Sequence, residues 1–430
     1  MTKEKFIKST IILIIGGAIT KFLGMFIRIV MTRLVGLEGI GLYMLIYPTF
    51  SLFMTLSQLS MPVAISKLVA EDTHNNKKVI GSAIPLTISF NLLLIITILL
   101  IAPFIAKIFL QEPRAYLPIL AIALVLPFDA ISNLLRGYFF GKQQMLPHVI
   151  SHILEQLIRL TLIIIITPTL IKINITYAVA GLVLVNIISE LLSITIFFFF
   201  LPRNFKITVS DFIPNKSIIK NVLDIAIPTT GGRLIGSIGY FLEPIVLTAS
   251  LLATGYSNQF ILTEYGIISG YVMPILLLPG FFTNALSSAL LPVIAKASVL
   301  HKTQYIKDKL KQAIFFSLLI GIPFTLLLVI NPGFFLNTIY HTSHGSTYLR
   351  LIAPIFLMFY VQAPLAATLQ GIDMSKYLIS DNLLGIIIKI GSIYLFSLFH
   401  IGMYPLLIAT SLGTIITTLK HYLHIRQILY

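Results

Sequence analysis

Long apolar stretches recur along the whole chain, and each is long enough to cross a lipid bilayer as a helix. Of the 430 residues, 57% are hydrophobic and 10% are charged, whereas a soluble domain has about 25% charged residues. A helix needs about 20 apolar residues to cross the hydrocarbon core. The sequence therefore predicts an all-α membrane protein of about 12 transmembrane helices, at residues 9–35, 40–65, 80–109, 116–138, 148–170, 176–201, 220–252, 264–292, 312–335, 348–370, 378–399 and 404–424.

The sequence also repeats itself inside these predicted helices. Three patterns recur at offsets of 230, 234 and 230 residues: Met61-Pro62-Val63-Ala64-Ile65-Ser66-Lys67 with Leu291-Pro292-Val293-Ile294-Ala295-Lys296, Arg136-Gly137 with Gln370-Gly371, and Arg159 with Lys389. Internal repeats of hydrophobic helices are typical of secondary transporters, whose substrate site lies between the halves. We therefore expect two pseudo-symmetric six-helix lobes, residues 1–205 and 206–430, around a central cavity.

Basic residues dominate the charge of the chain, and their placement predicts its topology. The net charge is +15. Both termini and alternate connections carry 20 of the 30 Lys and Arg residues, and the opposite connections carry five, namely Arg33, Lys107, Arg114, Lys172 and Arg350. Basic residues collect on the cytoplasmic side of a membrane. We therefore predict a multi-pass protein of the cell membrane with both termini in the cytoplasm, and we read the charge excess as a topology signal rather than as a nucleic-acid site.

The sequence lacks the motifs of the common membrane enzymes and ATP-driven pumps. It has no cysteine, no P-loop, no paired-His zinc motif and no Gly-x-Ser-x-Gly. The predicted connections are too short to hold a soluble domain. We therefore expect no cofactor, no metal site and no catalytic residue, and a membrane enzyme would need an outward group of carboxylates or histidines that the sequence does not offer.

The remaining five basic residues lie inside predicted spans, at Lys21, Arg28, Arg159, Arg233 and Lys389. One charge at the bilayer centre costs about 2.5–3.5 kcal/mol, and five facing lipid would cost roughly 12–17 kcal/mol on the same scale. That cost exceeds the net stability of a typical protein. Most of these residues must therefore face an aqueous cavity or an acidic partner, and all five are candidate substrate-binding residues.

Two predicted helices carry a cation beside small residues. Residues 17–28 of the first helix place two glycines, Lys21 and Arg28 on one face, and the seventh helix repeats the pattern around Arg233. Three such cations suit a substrate with clustered negative charge, such as a diphosphate. The alternative is that Lys21 and Arg28 reach opposite interfaces and that Arg233 pairs with Glu243.

Other polar residues inside the spans allow two interpretations. Glu155 lies one turn before Arg159, so that the two can form an ion pair within the helix. Glu243 and Asp381 are candidate residues for coupling transport to a cation. Asp129 and Asp224 are expected near the membrane interfaces.

Three segments near the N-terminus resemble a known family. They are Thr20-Lys21-Phe22-Leu23-Gly24 with Arg28, then Gly36-Leu37-Glu38-Gly39-Ile40-Gly41-Leu42-Tyr43, and then Leu59-Ser60-Met61-Pro62-Val63-Ala64-Ile65-Ser66-Lys67. With the two-lobe organisation of nearly the whole chain, they resemble polysaccharide-biosynthesis membrane proteins of the MOP (multidrug/oligosaccharidyl-lipid/polysaccharide) exporter superfamily, which includes sporulation proteins and MurJ-type lipid II flippases. In that family, basic residues of the first helix line the central cavity, and Lys21 and Arg28 occupy the matching positions.

The resemblance implies a V-shaped, alternating-access flippase that moves an undecaprenyl-diphosphate-linked glycan precursor, lipid II or a related polysaccharide unit, to the outer leaflet. The implied partners are that glycan, membrane lipids and either a coupling cation or the membrane potential, and we expect a monomer. The alternative is a cation-coupled multidrug exporter of the same fold. Such an exporter should have acidic rather than basic residues in its cavity, because its substrates are usually cationic.

The predicted topology can be checked with reporter fusions placed after residues 75, 112, 210 and 305. These fusions should read cytoplasmic, outside, cytoplasmic and cytoplasmic, in that order, because the charges of the connections orient the helices. A fusion after residue 305 that reads outside would contradict the twelve-span topology.

Overall fold

The computed structural model describes residues 3–71, 75–202, 205 and 209–429, and the described backbone is almost entirely helical. Within these residues, 11 helical segments are long and apolar enough to cross a membrane. The first of them, Ile15–Glu71, has 57 residues, which at about 1.5 Å per residue is more than twice the length that one crossing needs. With two crossings in that segment, the helices account for the about 12 spans that the sequence predicts.

The chain forms two compact units, Met1–Phe241 and Leu242–Tyr430. The helices of the first unit are α1 (Lys3–Gln58), α2 (Met61–Glu71), α3 (Asn76–Phe104), α4 (Tyr116–Gly141), α5 (Met145–Ile173), α6 (Ile175–Phe200) and the first part of α7 (Lys216–Ala253). A π-helical turn, Ile105–Phe109, extends α3, and two short 3-10 turns lie at Pro113–Ala115 and Val209–Phe212. Helix α4 packs against α2, α3 and α6, and α5 packs against α1 and α6.

The second unit begins in the last part of α7. Its other helices are α8 (Asn258–Gly266), α9 (Met273–Leu276), α10 (Leu278–Val299), α11 (Thr303–Ile330), α12 (Pro332–Tyr340), α13 (Ser346–Gly371), α14 (Ser375–Ser397) and α15 (Tyr404–Leu429). A π-helical segment, Ile267–Val272, joins α8 to α9. Helix α13 packs against α10, α11 and α15, and α14 packs along α15.

The repeated sequence segments form equivalent parts of the two hydrophobic cores. In the first unit, Met61, Ile65 and Leu68 of α2 are buried in a core that contains residues 134–139 of α4. In the second unit, Ile294 of α10 is buried in a core with residues of α13. The internal repeat is therefore a repeat of packing as well as of sequence.

Glycine allows the two helices of each repeated pair to approach closely. A Cβ atom added at Gly141 would lie 2.7 Å from the carbonyl oxygen of Ser66, and one added at Gly371 would lie 2.7 Å from Cγ2 of Ile294. Both helices then turn at a left-handed residue, Gln143 with φ 58° and Asp373 with φ 61°. These two turns are 230 residues apart in the sequence. The match of Arg136-Gly137 with Gln370-Gly371 has an offset of 234 residues, so the structural alignment of α4 with α13 differs from that sequence match by four residues.

The division of the chain after Phe241 differs from the lobe boundary that the sequence predicts after residue 205. The first part of α7 belongs to the first unit because its side chains bond to α1, for example through the hydroxyls of Ser237 and Thr55, which lie 2.9 Å apart. Residue 206 lies outside the described residues, and the predicted boundary between symmetric lobes stays a prediction.

Several predicted span boundaries are wrong because hydropathy measures apolar length and not backbone direction. Helix α1 breaks at Gly36, with φ 68° and ψ −172°, and stops at Leu59, where φ turns positive. The predicted span 264–292 is divided among α8, the π-helical segment, α9 and α10. Helix α11 starts at Thr303 rather than at residue 312, because its first turns are polar and extend past the apolar stretch.

Substituting the close-approach glycines should destabilise the protein. Gly141→Ala and Gly371→Ala each place a methyl group against a fixed neighbour, and overpacking of this kind costs about 1–3 kcal/mol. Gly391→Ala is the matched control, because nothing lies within 4 Å of its added Cβ and alanine favours the helix. Thermal unfolding of the purified protein in detergent should show lower midpoints for the first two variants only. Equal midpoints for all three variants would contradict the close packing.

Candidate substrate site

The basic face of α1 is open to its surroundings. Lys21 is exposed, and a Cβ atom added at Gly17 or Gly24 would meet nothing within 4 Å. The guanidinium carbon of Arg28 lies 5.8 Å from the centre of the Tyr47 ring, within the range of a cation–π contact. In the part of the chain that the structure describes, neither Lys21 nor Arg28 pairs with a carboxylate. This face therefore presents positive charge beside free space.

Arg233 lies on α7 against the second part of α1. Its Nη2 donates to Oε1 of Gln58 at 3.3 Å, and the contact between Thr55 and Ser237 continues this polar interface one turn away. The space beside Gly236 is open, as it is beside the glycines of α1. The two helices that the sequence singled out thus share a polar contact within the first unit.

Arg28 and Arg233 contact the second part of α1 at separate points. The residues that they contact, Tyr47 and Gln58, are 11 positions apart in the chain, roughly 16 Å along a helix. This separation is longer than a diphosphate group. The two arginines therefore make their contacts about three helical turns apart.

Gln58 connects Arg233 to buried charges of the first unit. Its Nε2 donates to Oδ2 of Asp129 at 3.0 Å, and Asp129 is only 4% exposed. Asp129 is therefore held inside the protein by hydrogen bonds, and its expected place near a membrane interface stays a prediction. Asn133 carries the connection further, because its Nδ2 donates to Asp129 at 3.0 Å and its Oδ1 accepts from Arg136 at 3.2 Å.

Ion pairs join Arg136 to three further charged residues. Nη2 of Arg159 donates to Oε1 of Glu155 at 2.7 Å and lies 3.8 Å from Oε1 of Glu190, while Nη2 of Arg136 lies 3.6 Å from Oε2 of Glu155. The geometry confirms the ion pair that the spacing of Glu155 and Arg159 predicts. With Asp129, these four residues form what we call the buried charge cluster. It contains three carboxylates and two guanidinium groups.

Sequence reasoning missed two members of this cluster. Arg136 lies at the end of the predicted span 116–138 and was counted with the connection that follows it, whereas α4 continues to Gly141 and places Arg136 inside its last turns. Glu190 received no role, although a carboxylate in the middle of an apolar helix is itself a signal of a buried partner. Only the structure shows that α4, α5 and α6 bring these charges together.

The second unit holds its membrane charges in separate pairs. Nζ of Lys389 lies 2.5 Å from Oε2 of Glu243, and Tyr265 donates to the other carboxylate oxygen at 3.4 Å. The partner of Glu243 is therefore Lys389 and not Arg233. Asp381 has a different partner, Nδ1 of His424, at 3.0 Å. Cation coupling by Glu243 and Asp381 stays a prediction, with each carboxylate beside a nitrogen of its own unit.

The five predicted cations thus differ in their surroundings. Arg159 and Lys389, which correspond in the repeat, both pair with carboxylates. Among the described residues, no ion pair involves Lys21, Arg28 or Arg233. A substrate anion can bind these three without breaking an ion pair. The binding roles of all five cations stay predictions, and the geometry favours the three that lack a carboxylate partner.

Comparisons with known proteins identify the family and the fold. The sequence model of a family described as polysaccharide biosynthesis protein matches residues 6–298. The chain is similar to stage V sporulation protein B of Bacillus subtilis, with 35% identity over 100% of this chain and 85% of that protein. It is also similar to the lipid II flippase MurJ of Bacillus subtilis, with 22% identity over 99% of this chain and 83% of that protein. Among solved structures, an inward-facing multidrug resistance MATE family transporter of the MOP superfamily superposes with a TM-score of 0.75 at 16% identity, covering 95% of this chain and 94% of that one. This last likeness shows the fold.

The pairing of Lys389 with Glu243 can be tested by a double-mutant cycle. Glu243→Leu and Lys389→Leu each leave one charge unpaired inside the membrane, and breaking a buried pair costs about 3–5 kcal/mol. Because 25% of the Lys389 side chain is exposed, we expect losses at or below the lower end of that range. The double variant should recover much of the loss, since it leaves no charge behind.

Thermal unfolding of the purified variants measures this cycle. Asp224→Leu serves as the matched control, because it removes an exposed carboxylate of the same helix, and it should change the midpoint little. Strictly additive effects of the two single substitutions would show that the pair does not stabilise the second unit.

Proposed function

Because the chain belongs to the polysaccharide biosynthesis protein family, we propose that it moves an undecaprenyl-diphosphate-linked glycan precursor to the outer leaflet of the cell membrane. The observation that carries this proposal is the cationic surface formed by Lys21 and Arg28 on α1 and by Arg233 on α7. These groups lack carboxylate partners among the described residues and lie beside open space. The diphosphate is the anionic part of such a substrate, so it is the part that this surface would bind.

The two kinds of cation have different parts in this proposal. A guanidinium group can donate two parallel hydrogen bonds to a phosphate, whereas the ammonium group of Lys21 acts as a point charge. Arg28 and Arg233 would therefore orient the diphosphate, and Lys21 would add attraction without fixed geometry. Since the two arginines contact α1 roughly 16 Å apart, we propose that they bind the anion at successive stages of its movement.

Translocation would proceed by alternating access, with the protein open to one side of the membrane at a time. Both termini would lie in the cytoplasm, as the charge of the connections predicts. The isoprenoid tail would remain in the lipid, so that only the polar part of the substrate needs a path through the protein. Either a coupling cation or the membrane potential would supply the free energy for transport. Transport of this kind needs no catalytic residue.

A cation-coupled multidrug exporter of the same fold is the second candidate function. The likeness to the MATE family transporter favours it, but that likeness concerns the fold. Exported drugs are usually cationic, and a cationic substrate would be repelled by Lys21, Arg28 and Arg233. The carboxylates that could attract such a substrate, Glu155 and Glu190, are buried beside Arg159 instead.

The proposal predicts that Arg28→Ala and Arg233→Ala abolish transport. Each substitution removes a charge that binds the diphosphate, while Arg28→Lys and Arg233→Lys should keep part of the activity because they keep the charge but lose the paired hydrogen bonds. Transport is measured with the purified protein in liposomes, as movement of a fluorescent undecaprenyl-diphosphate glycan between leaflets. Rescue of a strain depleted of its own flippase is the second readout.

Arg350→Ala provides the matched control, since Arg350 is an exposed arginine at the start of α13. It should transport like the unmodified protein at equal expression. Full transport by both Arg28→Ala and Arg233→Ala would rule out the cationic surface as the diphosphate site. The drug exporter would be favoured by a different result, in which the protein exports a cationic dye and does not move the glycan lipid. In that case neither Arg28→Ala nor Arg233→Ala should abolish dye export.

A further inference from the structure

The second unit contains a cavity of about 250 Å³ between α10, α13, α14 and α15. Side-chain amides dominate its polar surface: Asn284 on α10, Gln362 on α13 and Asn382 on α14. Thr283 and the ring of Phe359 complete the part of the wall that can recognise a ligand. None of the cavity-lining residues is a lysine, an arginine, an aspartate or a glutamate. A ligand of this cavity is therefore uncharged, and the diphosphate does not belong here.

His421 adds a buried imidazole ring to the cavity wall. Its side chain lines the cavity and is only 1% exposed, and neither ring nitrogen has a hydrogen-bond partner. The nearest carboxylate oxygen, on Asp381, lies 3.9 Å from Nε2, which is beyond hydrogen-bond distance. A buried polar group without a partner is destabilising. Both nitrogens are themselves almost inaccessible, so a ligand hydroxyl would reach them only after the ring turned toward the cavity.

The wall chemistry identifies the class of ligand. A carboxamide offers two donor hydrogens and an acceptor oxygen, so that one amide can bind two adjacent hydroxyl groups at once. Three amides around one aromatic face suit a ring with hydroxyl groups at its edge and an apolar C–H face. A saturated sugar ring has this pattern of polar edge and apolar face.

The volume of the cavity limits the ligand to one ring. A cavity of about 150 Å³ in another protein accommodates one benzene molecule, and ligand pockets for larger molecules have about 300–1,000 Å³. The 250 Å³ here therefore fits a six-membered sugar ring with its substituents, but not a disaccharide.

We propose that this cavity binds one neutral sugar ring of the glycan that the protein translocates. The inference rests on the proposed function, since it takes the glycan from that substrate. Gln362, Asn382 and Asn284 bind the hydroxyl groups, and Phe359 packs on the C–H face.

The sequence makes a direct test possible, because the native chain has no cysteine. Ala363→Cys puts one thiol in the cavity wall, and Ser288→Cys puts one on the exposed side of α10. The full chain in lipid nanodiscs is labelled with a neutral maleimide, with and without 100 mM N-acetylglucosamine or glucose as probe. We expect either sugar to slow labelling of the Ala363→Cys variant at least threefold and to leave the Ser288→Cys variant unchanged.

A second substitution shows whether this protection depends on the amides. Combined with Ala363→Cys, Gln362→Leu should abolish the protection, and Asn382→Leu is the replacement if that variant does not elute as a single species. Gln427→Leu, the same substitution at an exposed position of α15, should leave the protection intact. No protection by either sugar, or equal protection with and without Gln362, would overturn the sugar site and leave a cavity that holds only water.

The outcomes for this site and for the proposed function are separable. Arg28→Ala should keep the sugar protection and lose transport of the glycan lipid. Transport without any protection at Ala363→Cys overturns the sugar site alone. Protection in a protein that moves no undecaprenyl-diphosphate glycan overturns the proposed function and supports a site for neutral sugars.

Discussion

A charged side chain within a bilayer must either pair with an opposite charge or reach water, and the polar residues of this protein are arranged around that constraint. The first unit meets it with the buried charge cluster, where Arg159 and Arg136 bond to Glu155 across two helices. The second unit meets it with separate pairs, Lys389 with Glu243 and Asp381 with His424. Pairing of this kind fixes the rotation of each helix about its axis, since a rotated helix would leave a charge in lipid.

The constraint also separates the charges that build the fold from those that are available to a ligand. The cluster holds one more carboxylate than guanidinium groups, and it reaches Arg233 only through Gln58 and Asp129. In our proposal, a diphosphate bound by Arg233 competes with Gln58 for the guanidinium. Release of Gln58 would change the hydrogen bonding of Asp129. Binding of an anion at the cationic surface would therefore alter the buried charge cluster.

The sequence predicts the features that depend on composition and short spacing. Apolar length predicts about 12 spans, and the spacing of Glu155 and Arg159 predicts their ion pair, because both are properties of one helix. Partners on different helices cannot be read in this way. Asp381 lies two turns before Lys389 in the sequence, yet Asp381 bonds to His424 and Lys389 bonds to Glu243. The neighbours of α14 decide this choice, and they are visible only after the helices have packed.

Breaks in the helices escape sequence reasoning for a similar reason. Helix α1 is kinked at Gly36, but the apolar pattern of the sequence continues across the kink. Hydropathy therefore does not reveal how the backbone turns there. The close approach at Gly141 cannot be predicted from the sequence either, because a glycine in an apolar helix can have several structural roles. Its contact with Ser66 in the folded protein shows that the role here is close helix packing. The candidate cations were predictable because a charge in lipid is costly anywhere along a helix.

The two proposed ligand surfaces follow from the chemistry of a substrate that has two unlike polar parts. A diphosphate is common to every undecaprenyl-diphosphate lipid, so cations such as Arg28 give affinity but cannot distinguish one glycan from another. Discrimination needs groups whose hydrogen bonds depend on the positions of hydroxyl groups, and an amide such as Gln362 has that property. Cationic groups in the same pocket would favour any anion over the correct sugar. A neutral cavity lined by amides is therefore suited to selectivity for a glycan.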